Sequence, residues 1–209
     1  FDYKGITTYQ DIFLPVLGKH QVENATLAIE VIQQLNNSTI KQFSNKIQEN
    51  DIKSGLKSVK IPGRMEIISH KPLIILDGAH NEDKARSTAR TIKDVFSKKK
   101  VTCVVAIKQG KEAQDILKEI SQISDSIILT QFRIHFDLGD ELSIEPTKLK
   151  ELLVQLKFKG KTVIEKDLTK AFSLARGTVD KDGMILITGS MYLVGNIKCE
   201  MENINKSSF

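Results

Sequence analysis

Residues 20 to 35, HQVENATLAIEVIQQL, place Val22, Ala25, Ile29, Ile32 and Leu35 three or four positions apart. That is the spacing of one helix face turned towards a core. Ahead of this helix, Thr7 to Leu17 reads as a strand stopped by Gly18; behind it, "NNS" ends the helix. A second helical stretch runs from about Thr39 to Ser58 with a break near Asn50-Asp51, and "KIPG" (60 to 63) then reads as a linker, since proline and glycine both interrupt regular structure.

Past Gly63 the rhythm changes to short β-rich runs. These are "MEIIS" (65 to 69), "LIILD" (73 to 77), "VTCVVAI" (101 to 107), "SIILT" (126 to 130), "KTVIE" (161 to 165) and "MILITG" (184 to 189). Helical segments separate them. Ala85, Ala89, Ile92 and Phe96 share a face in one, Ile116, Ile120 and Ile123 in the next, and Leu149, Leu152, Leu153 and Leu156 in a third. Strands alternating with helices of this length predict an α/β fold, a Rossmann-like, mostly parallel sheet covered on both faces. The domain organisation expected is the end of one α/β domain over 1 to 60 and a complete domain over 61 to 209. No internal repeat or low-complexity segment interrupts either.

Composition narrows the class. The chain has 209 residues, 40% apolar and 27% charged, enough for a sizeable core in a soluble protein. No apolar run approaches the ~18 residues of a membrane span, and "FDYKGITTYQ" lacks the basic-then-apolar order of a signal peptide. The first residue is Phe, so the expectation is a piece of a longer polypeptide. Cys103 and Cys199 stand far apart outside any C-x-x-C spacing, which argues against a zinc site or disulfide framework and suits a reducing, cytoplasmic setting. The net charge of +5 is scattered, with "SKKK" (97 to 100) its one run, and the few aromatics do not interleave with basic residues. Nucleic-acid binding is therefore poorly supported, and anionic small molecules fit equally well.

Phosphate loops come next. "KGKT" (159 to 162) lacks the glycine required at 155, which is Gln, and Lys161-Thr162 opens a strand; a phosphate loop must follow a strand and open a helix. No G-x-G-x-x-G occurs either. Two strand ends are polar instead: Asp77-Gly78-Ala79-His80-Asn81 after "LIIL", and Gly189-Ser190 after "MILIT". In open α/β sheets the ligand crevice lies beyond such carboxyl ends. Read neutrally, "DGAHN" is a turn leading into a helix whose first residues are Glu82 and Asp83. His20 and Asn24 lie one helical turn apart beside Gln21, and Arg64 follows the Pro62-Gly63 turn as either a surface charge or an anion clamp.

Four motifs in order alter the weighing: G-x-H-Q-x-x-N-A (18 to 25), P-G-R-M-E (62 to 66), L-D-G-A-H-N (76 to 81) and G-S-x-Y-L-V-G (189 to 195). Together they resemble the folylpolyglutamate synthase and dihydrofolate synthase family, within the Mur-type amide ligases, over essentially the whole chain. Ile61 stands where the family often has Trp, and Glu82 where it has Pro. The resemblance implies an ATP-dependent ligase that phosphorylates the carboxylate of a folate or of dihydropteroate and joins L-glutamate through the acyl phosphate. It implies ATP and Mg2+ as cofactors, with the phosphate loop, the metal ligands and most of the central ATPase domain in a missing N-terminal part. A monomeric full enzyme and no membrane or nucleic-acid partner are also implied.

By the same resemblance Asn24 meets the adenine, Arg64 the ATP phosphates, and Asp77 the ribose hydroxyls. His80 meets the glutamate or the intermediate as the catalytic residue, with Asn81 beside it; Ser190 holds the incoming glutamate; His20 and Gln21 line the nucleotide site. Two other readings stay open. One is a non-catalytic nucleotide- or amino-acid-binding remnant. The other is a fragment of a cell-wall peptide ligase, against which the closing G-S-M-Y-L-V-G favours the folate branch.

Overall fold

A computed structural model describes residues 1 to 38, 46 to 136 and 139 to 206, and resolves them into two compact units, Phe1–Pro62 and Gly63–Phe209. The first unit holds a short hairpin, β1 (Tyr3–Lys4) and β2 (Thr8–Tyr9), followed by helices α1 (Lys19–Asn37) and α2 (Glu49–Lys57). Its core is Tyr3, Tyr9, Ile12, Ile29 and Ile52, with Tyr3 and Tyr9 stacked at 5.9 Å between ring centroids. The Tyr3 hydroxyl donates to Glu30 and to Gln33, and the Glu30 bond, with burial, pushes the phenol up to about 12.

Three expectations for this region are corrected. The strand expected over 7 to 17 is confined to Thr8–Tyr9, because Asp11 turns into the left-handed region at φ 55° with its N–H on Asp2 Oδ1. The buried stripe of α1 is Gln21, Ala25, Ile29 and Gln33, while Val22, Ile32 and Leu35 are only half-buried. Gln33 is admitted to the interior because its carboxamide bonds the Thr7 backbone and the Tyr3 hydroxyl. The break expected near Asn50-Asp51 falls a few residues earlier, at 46 to 48. Asp51 accepts from the Gln48 backbone in a capping box that starts α2 at Glu49. Residues 39 to 45, the start of the expected second helical stretch, lie outside the described residues.

The second unit begins with β3 (Glu66–His70), β4 (Leu73–Asp77), α3 (Glu82–Phe96), β5 (Val101–Val105), α4 (Ala113–Ser121) and β6 (Ser126–Leu129). A hairpin, β7 (Arg133–Phe136) and β8 (Gly139–Leu142), leads to α5 (Pro146–Gln155), β9 (Lys161–Ile164), α6 (Leu168–Thr178), β10 (Met184–Thr188) and α7 (Met191–Lys206). The main sheet has the order β3-β4-β10-β5-β6-β9, parallel except for β3, which pairs antiparallel with β4 on one edge. The six strands agree with the runs legible in the sequence.

Both faces are covered. Ile74, Leu76, Val104, Ile128, Ile185 and Ile187 pack on α6 and α7, and strand alternation sends Ile75, Cys103, Ile127 and Leu186 to the opposite face, where α3, α4 and α5 pack side by side. Burial pushes the Cys103 thiol up to about 12, so it is an inert core residue.

Candidate functional site

Strand β10 lies between β4 and β5, and its last residue, Thr188, is in register with Asp77 on one side and Val105 on the other. The two polar strand ends are therefore neighbours. The helices that follow them, α3 and α7, pack on opposite faces of the sheet, which makes this edge a switch point with two helix N-termini on it. Close packing there depends on two glycines. A Cβ on Gly78 would stand 1.9 Å from Met191 Sδ, and one on Gly189, at φ 106°, would stand 2.6 Å from the Ala106 carbonyl oxygen. Gly78 N–H also donates to the Gly63 carbonyl at 2.8 Å, which ties the P-G-R-M-E turn to the D-G-A-H-N turn.

Asp77 organises this junction. It is 5% exposed, and its carboxylate accepts from Met65 N at 2.9 Å, Ala79 N at 3.0 Å and Thr88 Oγ1 at 2.7 Å. Met65 sits at φ 46°, a strained conformation for a non-glycine residue that such a bond helps to hold. Asn81 is the N-cap of α3, its Oδ1 accepting from Lys84 N at 3.0 Å. Ser190 is 3% exposed and accepts from Tyr192 N at 3.2 Å. All three polar residues thus spend hydrogen-bonding capacity on shaping their own turns. Next to Asp77, Thr188 Oγ1 is fully buried and has no partner among the described residues.

His80 is set differently. Nδ1 lies 2.8 Å from the Gly78 carbonyl oxygen and Nε2 lies 3.0 Å from Lys84 Nζ. A carbonyl accepts and an ammonium donates, so these contacts assign the proton to Nδ1 and the lone pair to Nε2. Partial burial, opposed by the Gly78 bond and reinforced by Lys84, Arg64 and Lys111, holds His80 below its ordinary value. Burial and the charges of Arg64 and Lys111 likewise push Lys84 down, with Asp77 acting against them. Arg64 has no hydrogen bond or ion pair among the described residues. Three cations thus bear on one imidazole, and Asp77, the carboxylate that draws on Lys84, is already committed to three donors.

Of the residues singled out in the sequence, Arg64, Asp77, His80, Asn81 and Ser190 gather at this edge of the second unit. His20, Gln21 and Asn24 lie on the first turns of α1 in the first unit; Gln21 is buried and accepts from Asn24 Nδ2 at 3.2 Å, while Asn24 is exposed. Lys84, Lys111 and Thr188 escaped the sequence reading. For Lys84 the signal was present: it stands four residues after His80 on an emerging helix, the spacing at which side chains meet. Among the described residues no group of three or more His, Cys, Asp or Glu could hold a metal ion, and no helix is long and apolar enough to cross a membrane.

The fold is shared with known proteins. The dihydrofolate synthase/folylpolyglutamate synthase of Bacillus subtilis is 28% identical over 192 residues, covering 91% of this chain and 41% of the relative. The crystal structure of Mycobacterium tuberculosis folylpolyglutamate synthase complexed with ADP and AMPPCP is similar at a TM-score of 0.76 with 24% identity, over 92% of this chain and 42% of that one. The folylpolyglutamate synthase of Thermotoga maritima gives 0.69 with 28% identity, over 94% and 42%. This chain therefore spans less than half the length of these relatives. Residues 57 to 201 match the family described as dihydrofolate synthetase, C-terminal domain, and with more than half of its length inside that match the chain belongs to the dihydrofolate synthetase family, of which it carries the C-terminal domain.

Proposed function

We propose that this chain is the C-terminal part of an ATP-dependent ligase that joins L-glutamate to a folate, or to dihydropteroate, through an acyl phosphate. The observation that carries the reading is the trio Arg64, Lys84 and Lys111 bearing on His80, at the sheet edge where α3 and α7 both begin. A carboxylate resists attack by an amine because its own charge and resonance oppose the nucleophile. Phosphorylation supplies a leaving group, and the protein's task is then to neutralise phosphate charge and align the amine.

In this reading Arg64, free of protein partners among the described residues, takes the phosphate oxygens as a bidentate donor. His80 faces the amine through Nε2, and Ser190 and Asn81 hold the glutamate with the donors their turn contacts leave available. Asn24 meets the adenine, with His20 and Gln21 beside it. Asp77 is assigned a double part: it meets the ribose, and it holds the Met65 and Ala79 amides in place. The described residues do not fit a metal ion, so Mg2+ belongs with ligands upstream in the full polypeptide and no step here runs through it.

The test uses the full-length enzyme. Arg64→Ala should raise the ATP concentration needed for half-maximal turnover by ten-fold or more while the melting temperature stays within a degree or two, because no described contact is lost. Normal ATP use, or an insoluble variant, would overturn the assignment of Arg64.

A further inference from the structure

The contact between Lys84 and His80 presents a difficulty for the reading above. A base must offer a lone pair, yet the His80 Nε2 lone pair is already covered by the Lys84 ammonium at 3.0 Å. The other ring nitrogen is held by the Gly78 carbonyl at 2.8 Å and cannot accept. As it stands, His80 can take a proton from nothing.

Resting on the ligase reading, we infer that Lys84 is an anion-operated latch on His80: it covers Nε2, as the 3.0 Å contact shows, and it moves to a phosphoryl group brought beside it, leaving Nε2 free to accept the proton of the attacking amine. Lys84 thereby acts twice, on the phosphoryl group directly and on His80 by releasing it. The balance of interactions favours the movement. The ammonium exchanges a bond to a neutral acceptor for bonds to an anion, in which both partners are charged and attract each other directly. It also leaves a place where Arg64 and Lys111 repel it. Asp77, the one carboxylate that draws on Lys84, already accepts from Met65, Ala79 and Thr88 and is not a competing partner of equal strength.

The proton count closes. The amino acid reacts as its neutral amine, having left one proton to solvent. As the C–N bond forms, the amine nitrogen passes a second proton to His80 Nε2; the C–O bond to phosphorus breaks on the carbonyl side, and inorganic phosphate leaves with the bonding pair. His80, now an imidazolium, returns its proton to the phosphate or to water. The same anion that draws Lys84 away offsets Arg64 and Lys111, so the imidazole becomes a stronger base when its partner in the reaction is present. The charged groups in this sum are Arg64 ahead of β3, Lys84 on α3 and Lys111 ahead of α4, with Asp77 at the end of β4 acting on Lys84.

The test is an NMR titration of the 209-residue chain, with the His80 signals identified by their loss in H80Q. In the free protein the His80 midpoint should lie below 6.5, the ordinary value, with the proton on Nδ1. Inorganic pyrophosphate should raise the midpoint, and Lys84→Met should raise it without pyrophosphate and blunt the further response. Lys84→Arg, which restores a cation, should bring the low midpoint back. Pyrophosphate binding that leaves the wild-type midpoint unmoved, or a Lys84→Met midpoint equal to wild type, overturns the latch. Absence of ligase activity in the full-length enzyme would instead overturn the proposed function, and the titration would still decide the latch.

Discussion

At the scale of single residues, Asp77 takes three donors and Asn81 caps α3, whereas His80 meets one carbonyl and one ammonium. Asp77, Asn81 and Ser190 stood out as polar groups at strand ends, but a sequence cannot show that a carboxylate already takes three donors or that an amide already caps a helix. Two variants separate these roles. Asn81→Ala should lower stability by about 1 kcal/mol, the ordinary value of an N-cap, which a melting curve reads directly. His80 caps nothing, so in the full-length enzyme His80→Ala should reduce turnover on the order of 10²-fold with little change in melting temperature. A destabilised His80→Ala with normal turnover would remove it from the chemistry. Thr188→Val replaces a buried hydroxyl without a partner by a methyl of the same shape. Since an unsatisfied buried hydroxyl costs about 1–3 kcal/mol, the melting temperature should rise, and a fall would mean that Oγ1 has a partner in solution.

At the scale of elements, period decided what could be read. The six sheet strands are apolar runs bounded by turns, and β4, β5 and β10 are buried along their whole length. By contrast α6, "LTKAFSLARGT", buries only Ala171, Phe172 and Ala175, too small a stripe to stand out. The β7–β8 hairpin has no alternation that distinguishes it from loop. In α1 the buried stripe carries two glutamines, whose admission depends on acceptors and donors in the β1–β2 hairpin and so cannot be inferred from spacing alone. One cross-element contact yields a pH prediction. Glu66 on β3 meets Lys198 on α7 at 2.7 Å and the Gly63 amide at 2.7 Å. Burial pushes Glu66 up, yet Lys198 and that amide together hold it below its ordinary 4.5. A carboxyl group lowered in the folded state adds stability above its unfolded value, and that stability fades as pH falls through the folded one. Glu66→Gln should therefore melt below wild type at pH 7, and the gap should close in acid; a gap independent of pH would assign the effect to packing.

At the scale of the whole molecule the chain should lack ligase activity on its own, because it brings cations to one sheet edge but no phosphate loop and no fitted metal site among its described residues. Glutamate-dependent phosphate release from ATP by the purified 209-residue chain would refute this. The fold class was legible because alternation of strand and helix constrains topology strongly. The neighbourhood of Asp77 and Ser190 was legible only as two ends of one sheet, since strand order depends on where β10 inserts.

That insertion has a temporal consequence. Strand β10 is later in the chain than every other strand of its sheet, yet it occupies the gap between β4 and β5. During synthesis, β3-β4 and β5-β6-β9 leave the ribosome as two partial sheets, each with a bare inner edge of buried-type residues. Neither can join the other until the segment around Met184–Thr188 has emerged. Such long-range closure is slow and leaves pairing edges open. Ribosome-bound chains halted before residue 184 should be captured by chaperones and cut readily by protease, and those halted well after it should not.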